Sequence, residues 1–486
     1  MVRSRHVMQA AFIIALLVVP VFLLIISTQT TDELNYLDNF WYLNRARLIW
    51  QGILPDLFVY TLTYPSLVGL VNLFVADVLL AGMLTNAFLL WCILLGVYLL
   101  GCWLYKDRRV AWLAVTLVLV NVSLLDALRL FWATVSFTAA TVWCLVAAVL
   151  VTRQPRFGTA VLLGAVLALA VYTRVEGVTY GLFVPATAWL IFKQQGYRAA
   201  LRALITTSVV FAVLCLPFAL NFLYIRNNIN AELSTAVTGV FTLLDRTPVE
   251  WPVIWRRLTD TLTGLLSHWS TLAWLVGIAG LLWSTPRYRT AQWICAALIV
   301  LNLLYSFLLS IWPYPIHVIF YLPLFGLILA STLIQLAERA RWSRRLAVVL
   351  LIVLLVPNLL HAGRRAVEVP VMAYRTSASA ATGAALDGWL VEQGWYEQPI
   401  YTFCDSILSF SHARLQLIYR LQFATGWDTP EQLLPRLRAE NALLMVCGNQ
   451  VYFPDWRPLL QQATPSGLVE AGRFENFVFY RPDEAN

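Results

Sequence analysis

Charge is what this sequence has least of. Aspartate, glutamate, lysine and arginine make up 12 % of its 486 residues, about half the share near 25 % found in soluble domains. That scarcity excludes a water-soluble globule. The 60 % hydrophobic content and mean hydropathy of +0.71 identify a polytopic membrane protein instead. Several chemistry-bearing motifs are missing too. There is no Walker phosphate loop, no Gly-x-Gly-x-x-Gly after a strand, no His-Glu-x-x-His and no Cys/His metal spacing. An ATP-driven pump and a metal centre are therefore not expected. Cysteine is sparse and scattered: Cys92, Cys102, Cys144, Cys215 and Cys295 lie in apolar runs and read as small core residues. Cys404 and Cys447 fall in a polar tail and can pair if that tail is extracytoplasmic, although their spacing does not enforce it. The net charge of +8 would suggest nucleic acid in a soluble protein. Here it is better explained by basic loops that set membrane topology, so no nucleic-acid partner is expected.

What is present is a series of long apolar runs. A spanning helix needs about 20 such residues. Candidates fall at about 8–28, 80–103, 110–126, 133–152, 158–173, 176–192, 203–224, 269–284, 290–311, 316–337 and 345–361, or about eleven spans. The first run resembles a signal peptide, but no clean small-residue cleavage site follows, so a retained span is expected. Alternate connections carry the cations: Arg3 and Arg5, then Lys106, Arg108 and Arg109, then Arg153 and Arg156, then Lys193, Arg198 and Arg202, then Arg287 and Arg289, then Arg339, Arg341, Arg344 and Arg345. The positive-inside bias makes that side cytoplasmic. Residues 29–79, 225–268 and the tail after about 362 then face outward. The expected fold is an all-α polytopic membrane bundle over 1–361 with a small extracytoplasmic α/β domain over 362–486. In that domain 399–405, 442–448 and 476–481 read as strands. Residues 429–440 read as a helix, with Pro430 in its first turn.

The first outward segment, 29–79, is the most suggestive. It carries Asp32, Glu33 and Asp38, and Asp38, Trp41, Tyr42 and Arg45 recur at i, i+3, i+4 and i+7, one face of a helix. A carboxylate beside indole and phenol rings suits general-base work on a hydroxyl. The structural alternative is that Asp32 caps a helix and the aromatics form an interface belt. Arg174 and Glu176 lie between two short apolar runs, toward the outer half of the membrane, where ionisable residues are costly and mark a function or an internal partner. A guanidinium there matches phosphate geometry. The alternative is a structural pair of Arg174 with Glu176 or with a carbonyl. Asp126 and Arg129 lie at the outer end of the third span. His317 lies at an outer helix entrance, and Arg256 and Arg257 lie in the second outward loop as a phosphate grip or a solvated pair.

The run Asp38-Asn-Phe-Trp-Tyr-Leu-Asn-Arg-Ala-Arg, then Gly52 and Tyr64-Pro65-Ser66-Leu67, resembles the first extracytoplasmic loop of GT-C glycosyltransferases. The nearest group is the protein O-mannosyltransferase and aminoarabinose-transferase-like one (glycosyltransferase family 39-like). Tyr172-Thr173-Arg174-Val175-Glu176-Gly177 is similar to that group's Leu-Thr-Arg-Pro-Glu-Gly segment. The resemblance implies a polyprenyl-phosphate-linked sugar as donor, Asp38 as the catalytic carboxylate, and Arg174, helped by Arg129, at the donor phosphate. Asp32, Glu33, Trp41, Tyr42, Arg45, Tyr64, Asp126, Glu176 and His317 would support the site or touch substrate. The group carries a second acid near the start of its fourth span. Residues 131–136 have none here, so Asp126 either replaces it or pairs with Arg129. The expected activity is an inverting transfer to an acceptor hydroxyl of protein, lipid or glycan, with no metal or other cofactor required. Rival readings are a multi-pass transporter or lipid flippase, which broken helices near the midplane would favour, and a non-catalytic assembly factor.

Overall fold

A computed structural model describes residues 4–28, 63–129 except Ala76, 131, 133–228, 266–309, 319–339, 341–368, 378–402, 413–417, 430–447 and 467–483, with isolated positions such as Tyr42, Leu43 and Ala46. The chain opens with α1 (Ser4–Thr28), α2 (Thr63–Asn72), α3 (Val78–Trp103), α4 (Arg108–Leu119), α5 (Val122–Arg129), α6 (Thr134–Arg153) and α7 (Phe157–Thr173). A 3-10 helix (Val175–Leu182) follows, then α8 (Phe183–Gln195), α9 (Tyr197–Asn228), α10 (Thr271–Leu282), α11 (Pro286–Leu309), α12 (Leu322–Arg339) and α13 (Arg341–Glu368). In α3 and α6 apolar residues cover almost the whole helix surface, and these two and α12 are largely buried among their neighbours. In contrast, α1, α9 and α13 leave most of their apolar surface at the periphery.

Among the described residues six helices are long and apolar enough to cross a membrane, or seven if one bent pair is a single span. This is an integral membrane bundle with fewer full-length spans than the eleven or so expected. The expected spans 158–173 and 269–284 are the short helices α7 and α10, and 176–192 starts as the 3-10 helix. The expected span 110–126 is α4 and α5, bent by 54°. Asn121 sits at the break. Its side-chain oxygen accepts the amide of Leu124 (3.1 Å), and its amide donates to the carbonyl of His268 (3.1 Å). Such a side chain offers the backbone an alternative to continuing the helix.

The basic loops meet at one end of the bundle. Arg153 donates to the carbonyl of Trp103, Gln195 to Thr152 (3.1 Å), Arg289 to Ser284 (3.1 Å) and Arg339 to Trp283 (2.8 Å). Each acceptor lies in or just after a helix's last turn, where carbonyls lack intrahelical donors. Asp107 anchors the same end. It caps α4 and takes Arg109 (2.9 Å), Arg287 (3.1 Å) and the hydroxyl of Tyr288 (2.7 Å), while Arg109 also reaches Glu338 (2.5 Å).

After α13 comes α14 (Ala378–Glu392), then β1 (Ile400–Thr402), β2 (Leu415–Leu417), α15 (Pro430–Ala439), β3 (Leu443–Cys447), β4 (Leu468–Phe474) and β5 (Phe477–Pro482). The sheet order is β2-β1-β3-β5-β4, with β1 parallel to β2 and β3, and β5 antiparallel to β3 and β4. The three strands and the helix expected from the sequence are present as β1, β3, β5 and α15. Trp389 of α14, Trp395 and Phe479 of β5 stack with centroids 5.0–6.0 Å apart on one face. On the other side of β1, the hydroxyl of Tyr401 donates to Glu440 (2.5 Å). The free cysteines Cys92, Cys102, Cys144, Cys215 and Cys295 are buried or half-buried in the bundle. Cys404 and the side chain of Cys447 lie outside the described residues.

Candidate functional site

The described candidate residues lie in α2, in α5 and just after α7. Tyr64, in α2, is fully buried. Its hydroxyl donates to the side-chain oxygen of Asn86 on α3 (2.9 Å), and the amide of Asn86 donates to the carbonyl of Leu128 in the last turn of α5. That carbonyl is one of the helix's unpaired four, so a buried side chain from α3 caps α5. Burial pushes the phenol of Tyr64 well above its ordinary value, and the Asn86 bond only partly opposes it. The ring of Tyr42 meets that of Tyr64 edge-on at 5.7 Å.

The chain then turns sharply. Phe131 has a positive φ of 53° and is fully buried, a conformation that a bulky residue holds only when its surroundings fix it. The surroundings include Gly82 of α3. A Cβ there would lie 2.7 Å from the ring of Phe131 and 3.2 Å from Leu43. Beside this turn, Arg129 ends α5 with a side chain only 6 % exposed, 3.8 Å from Asp126. A cation at a helix C-terminus is favoured by the helix dipole.

Arg174 approaches from the other side. It leaves α7 in an extended conformation, with φ −158° and ψ 143°, and is half-buried. Its guanidinium lies 6.0 Å from the ring centroid of Phe137, one turn into α6. Phe137 stacks on Tyr180 at 5.8 Å and meets Phe320 edge-on at 5.6 Å. The hydroxyl of Tyr180 lies 2.6 Å from that of Thr141. The geometry also explains Gly177: a Cβ would fall 2.3 Å from the backbone of Ala170, so only glycine lets the 3-10 helix fold back on α7. Arg129 thus ends α5, and Arg174 lies against Phe137 in the first turns of α6.

Of the residues expected from the sequence, the structure joins Tyr42 to Tyr64 and Asp126 to Arg129, and it sets Arg174 on the wall of α6. Asp32, Glu33, Asp38, Trp41, Arg45, Arg256, Arg257 and His317 lie outside the described residues. Glu176 is described only through its backbone in the 3-10 helix. Sequence reasoning missed Asn86 and Phe137. The one available signal for Asn86 was a lone amide in the apolar run 80–103. Phe137 had none, since a phenylalanine in a spanning helix is unremarkable until a cation is found over it. A guanidinium beside an aromatic wall, as Arg174 is beside Phe137, can hold an anion such as a phosphate.

No protein-family model matches the chain, and no curated protein matches it in sequence. Solved structures do match in backbone path. ArnT from Cupriavidus metallidurans bound to undecaprenyl phosphate aligns over 98 % of this chain and 98 % of its own, with TM-score 0.63 at 13 % identity. The apo state of the same protein aligns over 96 % and 97 %, with TM-score 0.60 at 16 % identity. The oligosaccharyltransferase AglB from Archaeoglobus fulgidus, in complex with an inhibitory peptide and a dolichol-phosphate, covers 91 % of this chain and 69 % of its own, with TM-score 0.52 at 12 % identity. This chain has the ArnT-like GT-C fold. The bundle and the small C-terminal sheet are therefore parts of one known architecture. At such identities the likeness concerns the fold alone, and no residue takes a role from it.

Proposed function

We propose that this GT-C chain is an inverting glycosyltransferase that moves a sugar from a polyprenyl-phosphate carrier to an acceptor hydroxyl at the extracytoplasmic face. One observation carries this reading: a fold shared over 98 % of the chain with a protein solved with undecaprenyl phosphate bound. The AglB structure, with its dolichol-phosphate and peptide, supports a lipid-phosphate donor and leaves a protein acceptor among the candidates. The positive-inside bias supports a cytoplasmic basic end and an outward site.

In the proposed step Asp38 takes the proton of the acceptor hydroxyl as its oxygen attacks the anomeric carbon. The bond to the carrier phosphate breaks on the opposite face of the sugar. Asp38 stands four residues before Tyr42, the residue seated on Tyr64. Arg174 and Arg129 stabilise the charge that develops on the departing phosphate, in a setting of low water content. A phosphate leaves without protonation, so one carboxylate suffices. Trp41, Arg45, Asp32, Glu33, Glu176 and His317 are assigned to substrate contact or support of the site.

The α4–α5 break gives the transporter reading one observation of its own, since broken helices line transport sites. Membranes containing the protein, supplied with polyprenyl-phosphate sugars, separate the two readings. Transfer is expected from at least one donor, reduced at least 100-fold in Asp38→Asn and strongly in Arg174→Ala. Full activity in Asp38→Asn refutes the mechanism, and absence of transfer from every donor favours transport.

A further inference from the structure

In the half of the bundle nearest the basic loops, α11 and α12 meet through amides and hydroxyls. Gln292 is fully buried and Gln335 is 5 % exposed. The hydroxyls of Ser331 and Thr332 each donate to the carbonyl of Ile328 at 2.8 Å. Their protons are thereby used, so towards Gln292 their oxygens accept. The Nε2 of Gln292 donates to both, at 2.8 and 3.3 Å. That fixes the amide, with Oε1 turned away from the hydroxyls. Gln335 is fixed in the same way, because its Oε1 accepts the backbone amide of Thr285 (2.7 Å) and its Nε2 is left turned away. Flipping Gln292 would set a carbonyl against oxygens whose protons are spent. Flipping Gln335 would set an amide against an N–H.

The remaining atoms are complementary. Oε1 of Gln292 is an acceptor and Nε2 of Gln335 a donor, both buried and both without a hydrogen-bond partner among the described residues. Gln335 lies three and four residues after Thr332 and Ser331, on the same face of α12. The two groups therefore border one stretch of the helix interface. An amide group buried without a partner is costly in proteins, and lipid outside the bundle offers no replacement.

We infer that α11 and α12 enclose a resident water site, in which a water accepts from Nε2 of Gln335 and donates to Oε1 of Gln292. Internal waters occupy such places, where two or more fixed polar groups converge. The water makes the two glutamines a single unit that fixes the register of α11 on α12. The proposal is independent of the transferase reading, since it concerns the opposite end of the bundle.

A cryo-EM map of the full chain in lipid nanodiscs, at about 2 Å, tests it first. The expected result is a density peak within hydrogen-bond distance of both atoms. A double-mutant cycle with Gln292→Met and Gln335→Met, read by thermal unfolding, tests it a second way. With a bridging water, each single change strands the other amide. The double variant should then lose no more in Tm than Gln335→Met alone. Without the water, the groups are already independent and the two losses add. An empty map position, a direct amide–amide bond or additive Tm losses would each overturn the inference.

Discussion

Replacing Asn86 with leucine probes how α2, α3 and α5 are tied together. The change keeps the side-chain volume and removes both bonds of the bridge. It strands two buried groups, the hydroxyl of Tyr64 and the carbonyl of Leu128. Leaving each without a partner costs about 1–3 kcal/mol, so Asn86→Leu should lose about 2–6 kcal/mol. Tyr64→Phe removes one bond and strands only the oxygen of Asn86, a loss of about 1–2 kcal/mol. The double variant strands only the carbonyl and should therefore be more stable than Asn86→Leu alone. Reversible unfolding in mixed micelles, titrated with a denaturing detergent, measures all three. The reasoning fails if Asn86→Leu is no worse than Tyr64→Phe, or if the double variant loses the sum of the two. Tyr42 rests on Tyr64, so protease cleavage within 29–62 should also quicken in Asn86→Leu.

Two further outcomes follow from the geometry. Gly177→Ala places a methyl against the backbone of Ala170, which no rotamer relieves. It should lower stability, whereas Gly158→Ala, in the first turn of α7 with nothing within 4 Å of its Cβ, should leave stability unchanged or raise it slightly in the same assay. Asp107 sits outside the spans. Burial raises its carboxyl pKa, but the bonds from Arg109 and Tyr288 outweigh that and hold it at about 2, below its ordinary 3.8. Its folded pKa is thus depressed, so its stabilisation, about 2 kcal/mol at most, is present above pH 4 and is lost as pH falls towards 2. Asp107→Asn should be less stable than the parent at pH 6 and converge with it near pH 2, as measured by unfolding across that range.

Much of the bundle was legible because a spanning helix announces itself by length and hydropathy. The runs 80–103, 133–152 and 158–173 match α3, α6 and α7 to within about two residues. The α4–α5 break was not legible, because Asn121 ends a helix only through partners 3 and 147 residues away. In the tail, β1, β3 and β5 were found from their runs of apolar residues. β4 escaped because it is mostly exposed and carries a register shift between Glu470 and Gly472, which destroys alternation. The candidate site was legible as residue types but not as a constellation. Tyr64, Asp126, Arg129 and Arg174 were marked by charge or position in the sequence. What ties Tyr64 to the end of α5 is Asn86, and what turns the chain there is the left-handed Phe131, neither of which leaves a periodic trace.

The arginines at the basic end have a consequence for how the chain assembles. Arg153, Arg289 and Arg339 belong to the loops whose charge would orient each hairpin during insertion, yet each donates to a carbonyl in or just after the last turn of a helix. Insertion and folding therefore draw on the same side chains in succession. Before the helices meet, the guanidinium groups are solvated signals. Afterwards they close helix ends that the chain would otherwise leave frayed. An arginine moved by a few residues could preserve the orientation of its hairpin and still leave a neighbouring helix unfinished, so topology and stability can be separated at these positions by a single displacement.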